Sequence, residues 1–258
     1  MLLAADIGNT NITLGIYETG RLKNIFRLIT EPSGTPEAYG QNLLLFLRDL
    51  GIQPQAIEGV VIASVVPDVM SSFADGVRSL LKQEPFIVDH NSKTGITIKT
   101  DFPDKVGVDR LVNAASAYYS YGGPALVVDF GTATTFDVVS GNGEFLGGVI
   151  APGIKICAEA LWEKTAKLPK IEIQKPDRVM GTNTVSSMQS GVYFGYLGQV
   201  EYLVDNLKKE LGCNLKTIAT GGLSNLFKGF TDVIDIYDAD LTLNGLKYLY
   251  EINHSEQG

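Results

Sequence analysis

Two short segments of this chain place an aspartate, a glycine and hydroxyl side chains in the same order. The first, from Asp6 to Thr13, reads DIGNTNIT, and the second, from Asp129 to Asp137, reads DFGTATTFD. A glycine two residues after the aspartate allows a tight turn with outward-pointing N–H groups, and threonine hydroxyls can donate further hydrogen bonds. Such a loop suits a phosphate, and the aspartate can hold a cation or its water ligands against the phosphate oxygens.

The elements predicted around these segments occur in the same order twice. In the first half, strands are predicted at 2–6, 11–17, 22–29, 60–63 and 85–89, and helices at 35–50 and 67–82. After a helix at 110–121, strands follow at 125–130, 134–139, 144–150, 216–219 and 233–237, helices at 154–165, 183–211 and 241–252, and a helical turn at 223–227. One loop alone would fit an ordinary Asp-Gly hairpin, but two at corresponding places favour a phosphate clamp. We therefore predict an α/β protein with two duplicated βββαβαβ halves, residues 1–112 and 113–258.

The composition argues against several other classes of function. The chain of 258 residues carries 29 acidic and 21 basic residues, a net charge of -8, which disfavours binding to nucleic acid. The two cysteines form no CxxC pair, and His90 and His254 are too few for a His-rich metal site, so His90 is expected to be a loop or surface residue. We find no signal-peptide pattern and no apolar run of membrane-spanning length, and we expect a cytoplasmic protein without a membrane partner.

Five segments occur in the order and with the approximate spacing of a known enzyme family. They are Asp6–Thr10 (DIGNT), Val106–Arg110 (VGVDR), Asp129–Thr134 (DFGTAT), Gly147–Gly153 (GGVIAPG) and Gly181–Thr184 (GTNT). The paired loops resemble those of the actin, Hsp70 and sugar kinase ATPase superfamily, and the five segments together resemble the type III pantothenate kinases. The resemblance covers nearly the whole chain. It implies two ribonuclease H-like halves with ATP in a cleft between them, and ATP-dependent phosphorylation of pantothenate, the first step of coenzyme A biosynthesis.

Within this resemblance, the VGVDR segment supplies the general base. That role falls on Asp109, which would take the proton of the pantothenate hydroxyl as the oxygen attacks the γ-phosphoryl group of ATP. Gly107, Val108, Asp109 and Arg110 would line the pantothenate site, with Arg110 donating to polar or carboxylate groups of the substrate. The alternatives are an aspartate that only stabilises the helix dipole and an ordinary surface arginine.

The resemblance assigns the remaining site residues to cations, to the acceptor and to ATP. Asp129 corresponds to a ligand of a monovalent cation, potassium or ammonium, and Asp6 to a ligand of the magnesium bound with ATP. Thr184 is placed at the substrate, while Thr182 or Asn183 fits the N-cap of the helix that follows. Family members pair as homodimers, so we expect dimerisation helices in the second half. The residues assigned to ATP are Asp6, Ile7, Gly8, Asn9, Thr10, Asn11, Ile12, Thr13 and Thr132.

The sequence departs from the family at one substrate position. Many members have a tyrosine shortly before the VGVDR segment, where this chain has Thr100 or Phe102. The departure concerns affinity for the substrate rather than the type of reaction. Thr220–Gly222 (TGG) fits either a close approach to adenosine or an ordinary strand-to-helix turn.

Two alternative functions remain open at this point. The first is another small-molecule kinase or a phosphatase of the same superfamily, with the same phosphate loops and a different acceptor. The second is a non-catalytic regulatory accessory protein. The presence of Asp6, Asp109 and Asp129 together argues against the second, because a protein without turnover has no need of all three.

Overall fold

The computed structural model describes residues 1–255. Close contacts divide the chain into two compact units. The first contains the chain up to Thr97, the segment Asp101–Ser116 and the segment that starts at Asp240, and the second contains Ile98–Thr100 and Ala117–Ala239. Both units are built from strands and helices, so the predicted α/β class is confirmed.

The first unit contains a five-stranded sheet with two helices packed on one of its faces. These elements are β1 (Leu2–Ile7), β2 (Asn11–Glu18), β3 (Arg21–Ile29), α1 (Pro36–Asp49), β4 (Gly59–Ser64), α2 (Pro67–Leu81) and β5 (Phe86–Ile87). The strand order is β3-β2-β1-β4-β5, in which β1, β2 and β3 are antiparallel and β1, β4 and β5 are parallel. The carboxyl ends of the three parallel strands therefore lie at one edge of the sheet.

The central strands β1 and β4 read as continuous apolar runs because both of their faces are covered. On one face, Leu3 and Ile62 form a core with Leu43 of α1 and Phe73 of α2. The last helix, α6 (Leu241–His254), covers the other face. Strands β1 and β4 are thus buried on both faces of the sheet.

Helix α6 was expected in the second half of the molecule, but it belongs to the first unit. Its apolar stripe, which includes Leu246, packs against Ala4 of β1. Burial of this stripe, rather than chain order, decides where the helix lies. The compact units are therefore not the two continuous halves, 1–112 and 113–258, that the sequence suggested.

The predicted boundary between residues 112 and 113 falls inside one continuous helix, α3 (Val108–Tyr121). The division by contacts cuts the same helix a little later, between Ser116 and Ala117. A helix has no turn signal in its interior, so the repeat pattern alone could not locate this division.

The second sheet has six strands and repeats the arrangement of the first. Its strands are β6 (Thr97–Ile98), β7 (Ala125–Phe130), β8 (Ala133–Val139), β9 (Glu144–Pro152), β10 (Lys216–Thr220) and β11 (Ile236–Tyr237), and the accompanying helices are α4 (Ile154–Glu163) and α5 (Thr184–Leu211). The order is β11-β10-β7-β8-β9-β6, with β7, β8 and β9 antiparallel and β7, β10 and β11 parallel. The predicted duplication is confirmed, because both sheets carry three antiparallel strands followed by two parallel ones.

Three strands differ from the sequence prediction. The strand expected at 85–89 covers only Phe86–Ile87. The strand expected at 233–237 is reduced to Ile236–Tyr237, because the Thr217 N–H donates to the Asp235 carboxylate at 2.7 Å instead of to a strand carbonyl. Strand β6 was not predicted, and its two residues are too few to show a periodic pattern. Among the helices of residues 1–255, none is long and apolar enough to cross a membrane.

Candidate active site

The first D-x-G segment forms the turn between β1 and β2. The Gly8 N–H donates to the Asn11 carbonyl at 3.0 Å and closes the turn. Thr30 holds it from outside, since its hydroxyl donates to the Gly8 carbonyl at 2.7 Å and its N–H donates to the Thr10 carbonyl at 3.0 Å. Asn9, Thr10 and Asn11 are exposed at the tip. The turn is thus fixed at its base and open to a ligand at its tip.

Asp6 lies at the base of this turn and is partly buried. It is directly opposite Thr13 on β2, so the two side chains share one face of the sheet. Ile7 and Ile12 are fully buried in the core, and only their backbone could meet a ligand. Of the segment assigned to ATP, the polar members thus lie where a ligand can reach them, while the two isoleucines anchor the strands.

The second D-x-G segment forms the turn between β7 and β8. Its tip residue Thr132 is exposed, and the Thr132 carbonyl accepts the Gly153 N–H at 3.1 Å. A Cβ atom on Gly153 would collide with the carbonyls of Gly131 and Thr132, so only glycine allows this close approach. Asp129, at the end of β7, is partly buried. The GGVIAPG segment therefore supports the second loop through its last glycine.

The VGVDR segment leads into α3, and Asp109 is the second residue of that helix. The Asp109 carboxylate accepts the Arg110 N–H at 2.8 Å. A Cβ atom on Gly107 would lie only 2.5 Å from the Asp109 Oδ1 atom. Gly107 thus provides the space in which the carboxylate lies against the chain.

Partial burial changes the acidity of this carboxyl group. Loss of water around Asp109 raises its pKa above the ordinary value of 3.8, and the N–H and positive charge of Arg110 oppose this only in part. A carboxylate with a raised pKa is a stronger base once it is ionised. The environment of Asp109 therefore suits proton transfer.

The same segment is attached to the sheet edge that carries Asp6. Strand β5 leads to His90, whose Nε2 atom lies 2.8 Å from the Val106 carbonyl oxygen. Because β1 and β5 are both parallel to β4, their carboxyl ends are at the same edge, with one strand between them. That separation corresponds to about 10 Å. The structure thus brings the Asp6 turn and the Asp109 segment to one edge of the first unit, while Asp129 and Thr184 belong to the second unit.

Thr184 is exposed and is the first residue of α5. The N-cap is the preceding Asn183, one of the two residues proposed from the sequence, and its side chain accepts the Ser186 N–H at 2.9 Å. The Ser186 hydroxyl accepts the Asn183 N–H in return, which completes a capping box. The position of Thr184 is therefore fixed by the start of the helix.

The two residues considered for the family's tyrosine position differ in exposure. The Phe102 side chain is 74% exposed. The Thr100 hydroxyl is buried beside β9, and it has no hydrogen-bond partner within residues 1–255. Neither residue reproduces a tyrosine, which combines a large ring with a terminal hydroxyl.

Sequence comparison assigns the chain to a family. The model of the type III pantothenate kinase family matches residues 2–206. A type III pantothenate kinase from Agathobacter rectalis is 46% identical over 251 residues, which cover 97% of this chain and 96% of that protein. The chain belongs to the type III pantothenate kinase family. The resemblance identified from the five segments is thereby confirmed.

Solved structures agree with the fold expected of a type III pantothenate kinase. An activator of 2-hydroxyisocaproyl-CoA dehydratase from Clostridium difficile, with bound ADPNP, is 13% identical, with a TM-score of 0.55 and coverage of 99% of this chain and 96% of that one. A Campylobacter jejuni protein, named provisionally as a Baf family transcriptional activator, is 21% identical, with a TM-score of 0.58 and coverage of 98% and 99%. At these identities the likeness concerns the fold alone, and it confirms the predicted actin-like class.

Three positioning residues were missed from the sequence. Thr30 holds the first turn, His90 holds the segment before Asp109, and Gly153 supports the second loop. Gly153 lay within a recognised segment, but its contact with Thr132 could not be foreseen. Thr30 and His90 had no local signal, because their partners are 22 and 16 residues away in the chain.

Proposed function

We propose that this protein transfers the γ-phosphoryl group of ATP to the primary hydroxyl of pantothenate and forms 4'-phosphopantothenate, the first step of coenzyme A biosynthesis. The observation that carries this proposal is the 46% identity to a type III pantothenate kinase over 97% of the chain. The raised pKa of Asp109 supports it, because phosphoryl transfer to an alcohol is helped by a base at the acceptor oxygen.

In this proposal Asp109 removes the proton from the attacking hydroxyl. Burial favours return of the carboxylate to its neutral form, and so favours proton uptake. Arg110 would bind the carboxylate of pantothenate, and Gly107 and Val108 would contact it through their backbone. Thr184 would also bind pantothenate.

The two exposed turns would bind ATP. In the first, Asn9 and Thr10 are exposed at the tip of the turn and would face the phosphate oxygens, while the Gly8 N–H closes the turn; Thr132 is exposed at the tip of the second. Asp6 is a single carboxylate beside an open turn, which suits magnesium, an ion usually held by one or two carboxylates together with water and phosphate oxygens. When bound, magnesium neutralises charge on the β- and γ-phosphates.

Three further features belong to the proposal. Asp129 would hold a potassium or ammonium ion. The protein would act as a homodimer in the cytoplasm. Replacement of potassium by sodium in the assay should slow turnover, and equal rates in the two salts would remove the monovalent cation from the proposal. Light scattering of the purified protein at micromolar concentration tests the dimer directly.

The deciding experiment is ATP consumption with and without pantothenate in magnesium and potassium buffer, with the product identified by mass. Formation of phosphopantothenate that depends on both substrates supports the proposal. If a folded sample binds ATP but does not phosphorylate pantothenate, another kinase of the superfamily is indicated. If it does not bind ATP, the regulatory alternative is favoured.

A further inference from the structure

Three oxygen-bearing side chains lie side by side on neighbouring strands of the second sheet. Asp129 on β7 is directly opposite Thr135 on β8 and Thr220 on β10. Side chains of directly opposed residues point to the same face of a sheet, with Cβ atoms about 5 Å apart. One carboxylate and two hydroxyl groups therefore form a row on one face.

The hydroxyl of Thr135 has a fixed direction. It donates to the Asp137 Oδ2 atom at 3.0 Å, and Asp137 is completely buried. Gly148 lies opposite Asp137 on β9, where a Cβ atom would clash with the Phe136 carbonyl and lie 2.9 Å from the Asp137 Oδ1 atom. Because a hydroxyl has one hydrogen, Thr135 has only lone pairs left for any other partner. It therefore acts as an acceptor toward a ligand beside Asp129.

Thr220 adds a second hydroxyl on the other side of Asp129. Its side chain is 1% exposed, and its Oγ1 atom has no hydrogen-bond partner in the part of the chain that the structure describes. Buried hydroxyl groups are nearly always paired, so an unpaired one next to a carboxylate points to a ligand site. The next residue, Gly221, has a left-handed φ of 87°, and a Cβ atom there would collide with the Asp129 carboxylate. The chain after Thr220 thus bends closely around Asp129.

The chemistry of this row identifies the class of ligand. A carboxylate repels anions, and a threonine whose hydrogen is already used cannot donate to one. Oxygen lone pairs from a carboxylate and neutral groups are the ligands that hard cations prefer, and neutral oxygens can replace the hydration shell of potassium. The orphaned Thr220 hydroxyl therefore fits the monovalent cation of the proposed function.

We infer that Thr220 and Thr135 join Asp129 as oxygen ligands of the monovalent cation, and that Asp137 is the positioning residue that turns the Thr135 lone pairs toward it. This inference rests on the proposed assignment of the cation to Asp129. Thr135 and Thr220 lie on the two strands that flank β7, and each would add one oxygen ligand to Asp129. Asp137 would hold the Thr135 hydroxyl in the orientation that the cation requires.

The test compares Thr220→Val with Thr220→Ser and with Thr217→Val as a matched control. Thr217 is also buried on β10, but it is three positions away, so its side chain points to the opposite face, where its hydroxyl bonds to Leu215. Thermal unfolding is followed without nucleotide while potassium chloride replaces choline chloride at constant ionic strength. We expect a saturable rise in Tm with potassium for the parent, for Thr220→Ser and for Thr217→Val. Thr220→Val should need about tenfold more potassium for the same rise in Tm, the effect of losing about 1.4 kcal/mol of binding free energy.

The outcomes separate the inference from the proposed function. The potassium midpoint is the potassium concentration that gives half of the rise in Tm. The inference is overturned if Thr220→Val and the parent have equal potassium midpoints, whether or not the KM for ATP rises in the variant. If the parent phosphorylates pantothenate but shows no potassium effect on Tm or rate, the cation assignment fails with the inference while the kinase activity stands. Absence of turnover with a potassium-dependent Tm contradicts the kinase and leaves the cation site. If Thr220→Val does not fold, Thr220→Ala provides the same comparison.

The positioning role of Asp137 has its own readout. Asp137→Asn keeps an oxygen that can accept from Thr135 and should retain the preference for potassium over sodium. Asp137→Ala removes this acceptor oxygen, so it should raise the potassium midpoint and reduce the preference for potassium over sodium. A loss of Tm in Asp137→Ala with unchanged potassium midpoint and selectivity would assign Asp137 to structure alone.

Discussion

The Nε2 atom of His90 lies 2.8 Å from the carbonyl oxygen of Val106 and connects the end of β5 to the chain just before Gly107. A carbonyl can only accept, so Nε2 carries the hydrogen of this bond. The bond holds the residue that precedes the VGVDR glycine and so helps to set where α3 begins. It links a histidine outside the recognised motifs to the position of Asp109.

Loss of this bond should weaken catalysis without affecting ATP. We expect His90→Ala to lower kcat/KM for pantothenate about tenfold, the equivalent of about 1.4 kcal/mol, with little change in the affinity for ATP. His90→Gln should restore part of the loss, because the glutamine amide can also donate. Steady-state kinetics with each substrate varied check this, with His254→Ala as the control. Equal losses for Ala and Gln would contradict a role through the hydrogen bond.

Gly107 is predicted to be required for the position of the Asp109 carboxylate. A Cβ atom at 107 would lie 2.5 Å from Asp109 Oδ1, so Gly107→Ala must displace the carboxylate. A displacement of about 1 Å at a reacting group can lower the rate about 100-fold. We expect a fall in kcat of that order with a native-like Tm. Gly141→Ala is the control, because its nearest contact would be an ordinary 3.8 Å; equal activity of the two variants would refute the prediction.

The local patterns of the sequence predicted most of the fold. Alternating and continuous apolar runs predicted most of the strands, and the two D-x-G segments predicted the turns between β1 and β2 and between β7 and β8. The N-cap of α5 was also open to prediction, because Asn183 lies at the start of a long helical pattern. These features depend on residues close together in the chain.

Features that depend on distant residues could not be predicted in the same way. Helix α6 packs on β1, although more than 230 residues separate Ala4 from Leu246. The unpaired hydroxyl of Thr220 becomes visible only when β10 is placed beside β7. A one-dimensional pattern shows which face of an element is apolar, but not which other element covers that face.

The start of α5 offers a test that combines stability and substrate binding. We expect Asn183→Ala to lower the free energy of unfolding by about 1 kcal/mol, because it removes the side-chain acceptor of the capping box. The KM for pantothenate should rise as well, since Thr184 follows the cap. Thr182→Ala is the control, because only the backbone of Thr182 bonds to Ser186. Chemical denaturation and kinetics check both effects, and a stability loss with unchanged KM would remove Thr184 from the substrate site.

We expect the partly buried carboxylate of Asp109 to favour activity and disfavour stability. Burial raises the pKa of this carboxyl group in the folded protein, so folding favours the protonated form. Its contribution to stability is therefore greatest below the unfolded value of 3.8 and is lost as pH rises through the higher folded pKa. Near pH 7.5 the ionised, partly buried carboxylate lowers the free energy of unfolding, and Asp109→Asn removes this charge.

Asp109→Asn should thus raise Tm near pH 7.5 while lowering kcat about 10²- to 10⁴-fold, the effect of removing a general base. The gain in Tm should shrink as the pH is lowered through the raised pKa, and in the parent kcat/KM should fall in the same pH range. Asp232→Asn, at an exposed loop position, is the control for the change of charge. A variant that loses both activity and stability would indicate that Asp109 serves the helix start rather than the reaction, and unchanged turnover would exclude it as the base.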